Sequence, residues 1–268
     1  MLYNAKNGTL AFGDTTMDYI RFGTGERALI MLPGLGDSLR SMKGTALPMA
    51  LMYRMFAKDF SVYMFSRLTE LPAGYTTREM ARDQAEVMDA LGIAKADIFG
   101  VSMGGMIAQY LTIDFPEKVN KLILTVTSAE PTPLLRESIG EWMSLAKRGD
   151  HAAFMDSNLR RIYSAEYYRK NKWTAPLVGW LTKPKSYDRF FIQAEACLTH
   201  EAKEELHRIC APTLVVGGGK DLALGGEASV EIAAQIPGAA PAMSLPGGCR
   251  FGPAPDSSPA AAALQSCR

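Results

Sequence analysis

Apolar positions along the chain follow two alternating patterns. Residues 28–32, 61–65 and 121–126 are short runs that are apolar almost throughout, as in strands buried on both faces. Between them lie longer stretches at helical spacing. In 76–92, Met80, Val87, Met88 and Leu91 share one face and Gln84 is the polar residue on it. Thr76 and Glu79 form a capping box that opens this helix, and Gly92 stops it. Residues 9–22, with turns at Gly13-Asp14 and Gly23-Thr24-Gly25, read as opening antiparallel strands. Residues 103–115 are helical in pattern. The segments 212–217 and 240–245 are the last strand candidates, with a helix at 228–236 between them. This alternation predicts an α/β fold with a mostly parallel central sheet covered by helices on both faces.

From about 128 to 207 the alternation stops. Residues 134–147, 152–163 and 187–198 are helical in pattern, with Trp142 inside the first and Trp173 and Trp180 between the others. The expected organisation is a core of residues 1–127 and 206–268 carrying an all-helical insertion, 128–205, whose aromatics serve mostly as packing. The last stretch, 247–268, is atypical. It is rich in Gly, Pro, Ala and Ser and lacks the apolar period of a closing helix.

Composition narrows the function classes. A chain of 268 residues can bury one full α/β core and still carry an insertion. With 29 Lys+Arg against 28 Asp+Glu there is no field to attract nucleic acid or an anionic membrane. The cysteines, Cys197, Cys210, Cys249 and Cys267, include no C-x-x-C pair. That argues against a zinc site or disulfide framework and fits reduced thiols in a cytoplasmic protein. Residues 1–8 lack the apolar segment of a secretory signal, and no stretch reaches membrane-spanning length. The expected partner is a small-molecule substrate, without nucleic acid or membrane; self-association into a homo-oligomer stays open.

The candidate chemistry lies in Gly100-Val101-Ser102-Met103-Gly104, between the run 97–101 and the helix 103–115. A serine on so tight a strand-to-helix turn takes a strained backbone conformation, and side chains two residues to either side would block the close approach of strand and helix. The turn lifts the hydroxyl into the open and aims the N-terminal amides of the new helix at it. Gly34-Leu35-Gly36 after an earlier strand invites a dinucleotide-binding reading, but Leu39 stands where the third glycine is needed, and no phosphate-binding G-x-x-x-x-G-K-[ST] occurs.

With its G-x-S-x-G turn in this context, the chain resembles the α/β-hydrolases. The stretch Gly100-Val101-Ser102-Met103-Gly104-Gly105-Met106-Ile107-Ala108-Gln109 is similar to the enol-lactonase and small-ester branch. The resemblance implies a capped serine hydrolase of an ester, lactone or related acyl substrate, with Ser102 as nucleophile and neither metal nor cofactor. It implies an oxyanion hole of the Leu35 and Met103 amides, since Pro33-Gly34-Leu35 matches the family loop with Pro in the His position. The family's acid falls on Asp221, in the Gly-rich turn after 212–217, with Glu130 as fallback. Carbon–carbon bond hydrolases and cofactor-free perhydrolases use the same parts, so the bond cleaved stays open; the dehalogenase branch is disfavoured, because it has aspartate where Ser102 stands.

One family feature is missing. The catalytic histidine is expected after the last strand, yet 246–253 reads Pro-Gly-Gly-Cys-Arg-Phe-Gly-Pro, and the only histidines are His151, His200 and His207. A serine hydroxyl is a poor nucleophile without an adjacent base. The expectation is an impaired hydrolase, with a catalytically inactive binding protein on the same scaffold as the alternative. A base supplied by His151 or His200 from the insertion, or with little precedent by Cys249, is the remaining route to activity.

Overall fold

The structure, a computed structural model, describes residues 2–174, 176, 179–180, 183–218 and 221–245. Its frame is an eight-stranded sheet: β1 (Lys6–Phe12), β2 (Thr15–Phe22), β3 (Arg27–Leu32), β4 (Phe60–Leu68), β5 (Ala96–Val101), β6 (Val119–Thr125), β7 (Thr213–Gly218) and β8 (Ala240–Leu245). The spatial order is β1-β2-β4-β3-β5-β6-β7-β8. β2 pairs antiparallel with β1 and β4, and every other neighbouring pair is parallel. The expected mostly parallel sheet is therefore present, and the antiparallel hairpin sits at one edge.

Alternation along β3 shows how both faces are used. Ile30 and Leu32 enter one core with Met80 and Met88 of α2 (Thr77–Ala90) and Ile107 and Leu111 of α3 (Met103–Asp114). Leu29 and Met31 enter a second core on the opposite face, against Ala46 and Ala50 of α1 (Ala46–Met52). The predicted capping box of α2 is formed, with Thr76 and Glu79 exchanging hydrogen bonds. Gln84, the polar residue of its apolar stripe, is buried and donates to the Ser66 carbonyl at 3.4 Å.

Two expectations are corrected. The predicted strand run ends at residue 65, but β4 runs on to Leu68 because β2 continues the ladder as far as the Met17–Leu68 pair. And the tryptophans around the insertion do not all pack: Trp142 is buried, whereas Trp173 and Trp180 are 74% and 76% exposed.

Between β6 and β7 the structure places α4 (Pro133–Lys147), α5 (His151–Ile162), α6 (Ala165–Asn171) and α7 (Asp188–Leu198), and no strand among the described residues. A last helix, α8 (Glu227–Gln235), joins β7 to β8. Among the described residues no helix is long and apolar enough to cross a membrane. The stretch 247–268, with Cys249 and Cys267, lies outside the described residues.

Backbone packs closely where β5 turns into α3. A Cβ at Gly104 would lie 2.0 Å from the Leu32 carbonyl oxygen, and one at Gly100 would lie 2.6 Å from the Gly104 oxygen. Backbone lies on both sides of these contacts, so nothing flexible can yield. Gly104→Ala is expected to lower unfolding free energy by about 2 kcal/mol or more through overpacking, read from urea denaturation; a change within about 0.5 kcal/mol would show that the contact relaxes.

Candidate active site

Ser102 occupies the turn between β5 and α3 with φ 53° and ψ −122°. Positive φ is uncommon for a residue with a Cβ and signals backbone held under constraint. The constraint is visible. The Ser102 N–H donates to the Thr125 carbonyl at 2.9 Å, and its own carbonyl accepts from Gly105 N–H at 2.8 Å and from the Thr127 hydroxyl at 2.8 Å. Val126, on the adjoining loop, is also forced to positive φ, at 44°. For a β-branched residue that is a strong outlier, and no sequence pattern announces it.

A cavity of about 200 Å³ opens over this turn. The strand ends supply Ser102 and Val126, the loop after β3 supplies Gly34 and Leu35, and the loop after β7 supplies Asp221. Trp142 of α4 and Asn158 and Ile162 of α5 close it from the inserted helices. The loop after β3 lies directly against the serine: a Cβ at Gly34 would be 3.3 Å from Ser102 Cβ and 3.8 Å from its Oγ. Leu35 opens the 3₁₀ turn Leu35–Ser38 and Met103 opens α3. As first residues of their elements, their N–H groups have no acceptor within those elements.

Buried charge holds the loop after β3 in place. The Asp37 carboxylate accepts from Ser66 Oγ at 2.7 Å and from the Arg67 N–H at 3.0 Å, with Arg67 Nη1 4.0 Å away. Arg67, fully buried in the stretch of β4 beyond the apolar run 61–65, donates through Nη2 to the Pro33 carbonyl, one residue before Gly34. Burial pushes its guanidinium below the ordinary arginine value, and Asp37 opposes that shift. Arg189 of α7 reaches the same place, donating to the carbonyls of Asp37 and Arg67 at 3.3 Å each. The inserted helices and this loop are thus tied together.

Asp221 is fixed by its own turn. Its N–H donates to the Gly218 carbonyl, and its Oδ1 accepts from the N–H groups of Ala223 and Leu224 at 2.8 and 2.9 Å. Glu130, the fallback acid, pairs with Lys203 and does not line the cavity.

No histidine lines the cavity among the described residues. His200 is buried between Thr77 and Gln109, with Thr77 Oγ1 2.9 Å from Nδ1 and Gln109 Oε1 3.4 Å from Nε2. Gln109 Nε2 donates to the Ser128 carbonyl, which turns Oε1 toward the ring. Nε2 therefore carries the proton and Nδ1 accepts from the Thr77 hydroxyl, so the neutral ring has no lone pair left for a substrate. His151 Nδ1 lies 2.6 Å from the Tyr187 hydroxyl; burial first, and nearby Lys183 second, lower its pKa. His207 is exposed on the 3₁₀ turn Lys203–Arg208. Ser102, Leu35 and Asp221 are brought to one cavity with Met103 adjoining, while the histidines stay away from it.

Comparison with known proteins places this arrangement. The family described as "alpha/beta hydrolase fold" matches residues 27–248. The chain is 32% identical over 102 residues to the candidate carbamate hydrolase RutD of Caulobacter vibrioides, a span covering only 38% of each protein. It is 25% identical over 221 residues to 3-oxoadipate enol-lactonase 2 of Acinetobacter baylyi, covering 80% of this chain and 79% of that one. The structure of the enol-lactonase from Burkholderia xenovorans LB400 is similar with a TM-score of 0.75 at 22% identity, over 90% of this chain and 92% of that one.

Burial drives the His200 pKa down to about 3. The unfolded ring, with an ordinary value near 6.5, takes up its proton first as pH falls. The stabilisation is thus present above pH ~6.5 and is lost toward pH 3. Between pH 7 and pH 4 the chain should lose on the order of 3 kcal/mol more stability than its His200→Gln variant. Parallel losses in denaturant titrations would show that His200 does not titrate this way.

Proposed function

Because the chain belongs to the alpha/beta hydrolase family, we propose that it is built as a serine hydrolase of small acyl substrates and that this chain turns over poorly. The observation that carries the reading is Ser102 held at φ 53° at the floor of a cavity that also holds Leu35 and Asp221. In this reading Ser102 Oγ attacks the substrate carbonyl carbon, and its proton must pass to a base. The N–H groups of Leu35 and Met103 hold the oxygen that becomes negative, and each such donor lowers the barrier by roughly 3 kcal/mol. Collapse of the tetrahedral intermediate expels the leaving group, which needs a proton returned, and water then releases the acid by the same route. Asp221 would steady a protonated base.

The base is what fails. His200 has both ring nitrogens committed, His151 is engaged with Tyr187, and His207 faces solvent. These positions also favour the second reading, a catalytically inactive binding protein that keeps the cavity and the oxyanion donors. The helices between β6 and β7 serve as a cap that narrows the cavity and excludes water. The names of the relatives point to lactones and carbamates as substrate types, and a cavity of about 200 Å³ suits molecules of that size.

Hydrolysis of p-nitrophenyl acetate should run at the same background rate for the chain and for Ser102→Ala. Replacing residues 247–268 by an amphipathic closing segment that includes Arg250→His should restore turnover at least tenfold above background, all of it lost again with Ser102→Ala. Ser102-dependent turnover in the unaltered chain would mean a working base. A chimera that folds yet stays inert would remove the missing histidine as the explanation.

A further inference from the structure

The cavity has an uneven chemistry. Its walls away from Ser102 and Asp221 are apolar, from Leu35, Val101, Val126, Trp142, Ile162 and Leu224, and one polar side chain, Asn158, interrupts them. Asn158 sits on α5, so it reaches the cavity from the inserted helices, across from the sheet that carries Ser102.

The orientation of the Asn158 amide is determined by its neighbour. Nδ2 donates to the Phe154 carbonyl at 3.0 Å, one turn back on the same helix. A carbonyl only accepts, so the nitrogen must face it and the oxygen must face away. Oδ1 then has no protein donor among the described residues and is free to accept from a molecule in the cavity that Asn158 lines. An accessible carbonyl oxygen in a mostly apolar pocket rewards a ligand that brings a donor, because desolvating it without a partner is costly. It also disfavours an anion, as does the Asp221 carboxylate in the same cavity.

We infer that Asn158 is the specificity-determining residue of this site and selects small, uncharged carbonyl compounds bearing an N–H or O–H donor, such as primary amides, carbamates and hydroxy-esters. The inference rests on the hydrolase reading only in taking the cavity as the substrate site. Its size sets the upper bound, since about 200 Å³ falls below the roughly 300 Å³ at which pockets for drug-sized ligands begin.

The test uses isomers, so that size and carbon count cancel. Butyramide carries an NH₂ donor, and N,N-dimethylacetamide, of the same formula, carries none; butyrate is the anionic control. Dissociation constants come from NMR titration of the full chain, which requires no turnover. Butyramide should bind about three- to tenfold tighter than its isomer, the worth of one hydrogen bond, and butyrate should bind more weakly than butyramide. In Asn158→Leu the ratio between the isomers should fall to about one while N,N-dimethylacetamide binds as before. Asn158→Ala provides the same readout if the leucine variant does not fold. Equal binding of the isomers, no binding of either, or a preference that survives in both variants would overturn the inference. Should the chimera with the replaced 247–268 segment fold yet stay inert while the isomer preference stands, the hydrolase reading alone fails; Ser102-dependent turnover in that chimera without the preference would sink this inference alone.

Discussion

Everything at the site depends on how closely the backbone of α3 approaches the end of β3. Gly104 sits where a methyl group would fall 2.0 Å from the Leu32 carbonyl, and Gly100 sits where one would fall against Gly104. With two side chains deleted from the crossing, the chain reverses direction within one residue, and Ser102 takes the φ 53° conformation that no longer turn would impose. The same closeness brings the loop after β3, with Leu35, against the serine. Strain at one residue is thus maintained by packing over three elements.

A second constraint is electrostatic. A fully buried arginine is expensive, and Arg67 is only loosely paired with Asp37 at 4.0 Å. Replacing such a pair by apolar residues is often neutral or stabilising, so stability alone does not explain it. Its hydrogen bonds do explain something. Asp37 and Arg67 fix the carbonyl of Pro33 and the turn that carries Leu35, and Arg189 ties α7 to the same loop. The network trades desolvation for position in the loop that packs against the serine.

The parts of this architecture that follow from local rules are readable in the sequence. The run 28–32, the capping box at Thr76 and Glu79, and Gly100-x-Ser102-x-Gly104 each encode their own geometry, and β3, α2 and the Ser102 turn appear where those patterns place them. What was not readable depends on contacts distant in sequence. Arg67 looks like a loop residue because arginine is rarely buried, and only pairing with β2 and Asp37 reveals it as a strand residue. Positive φ at Val126 and the cavity position of Asn158 come from tertiary packing with no local signal. The fate of His200 depends on Thr77 and Gln109, distant in the chain.

If Ser102 is a nucleophile that lacks only its base, as proposed, the turn and the base can be told apart chemically. The direct measurement is intact-mass detection of a Ser102 adduct with an activated organophosphonate, with and without added imidazole and with Ser102→Ala as control. The account predicts little adduct alone and a Ser102-dependent adduct that grows with imidazole concentration, because a diffusible base substitutes for the missing one. Rapid labelling without imidazole would contradict the missing base, and no labelling even at high imidazole would contradict the nucleophile turn itself.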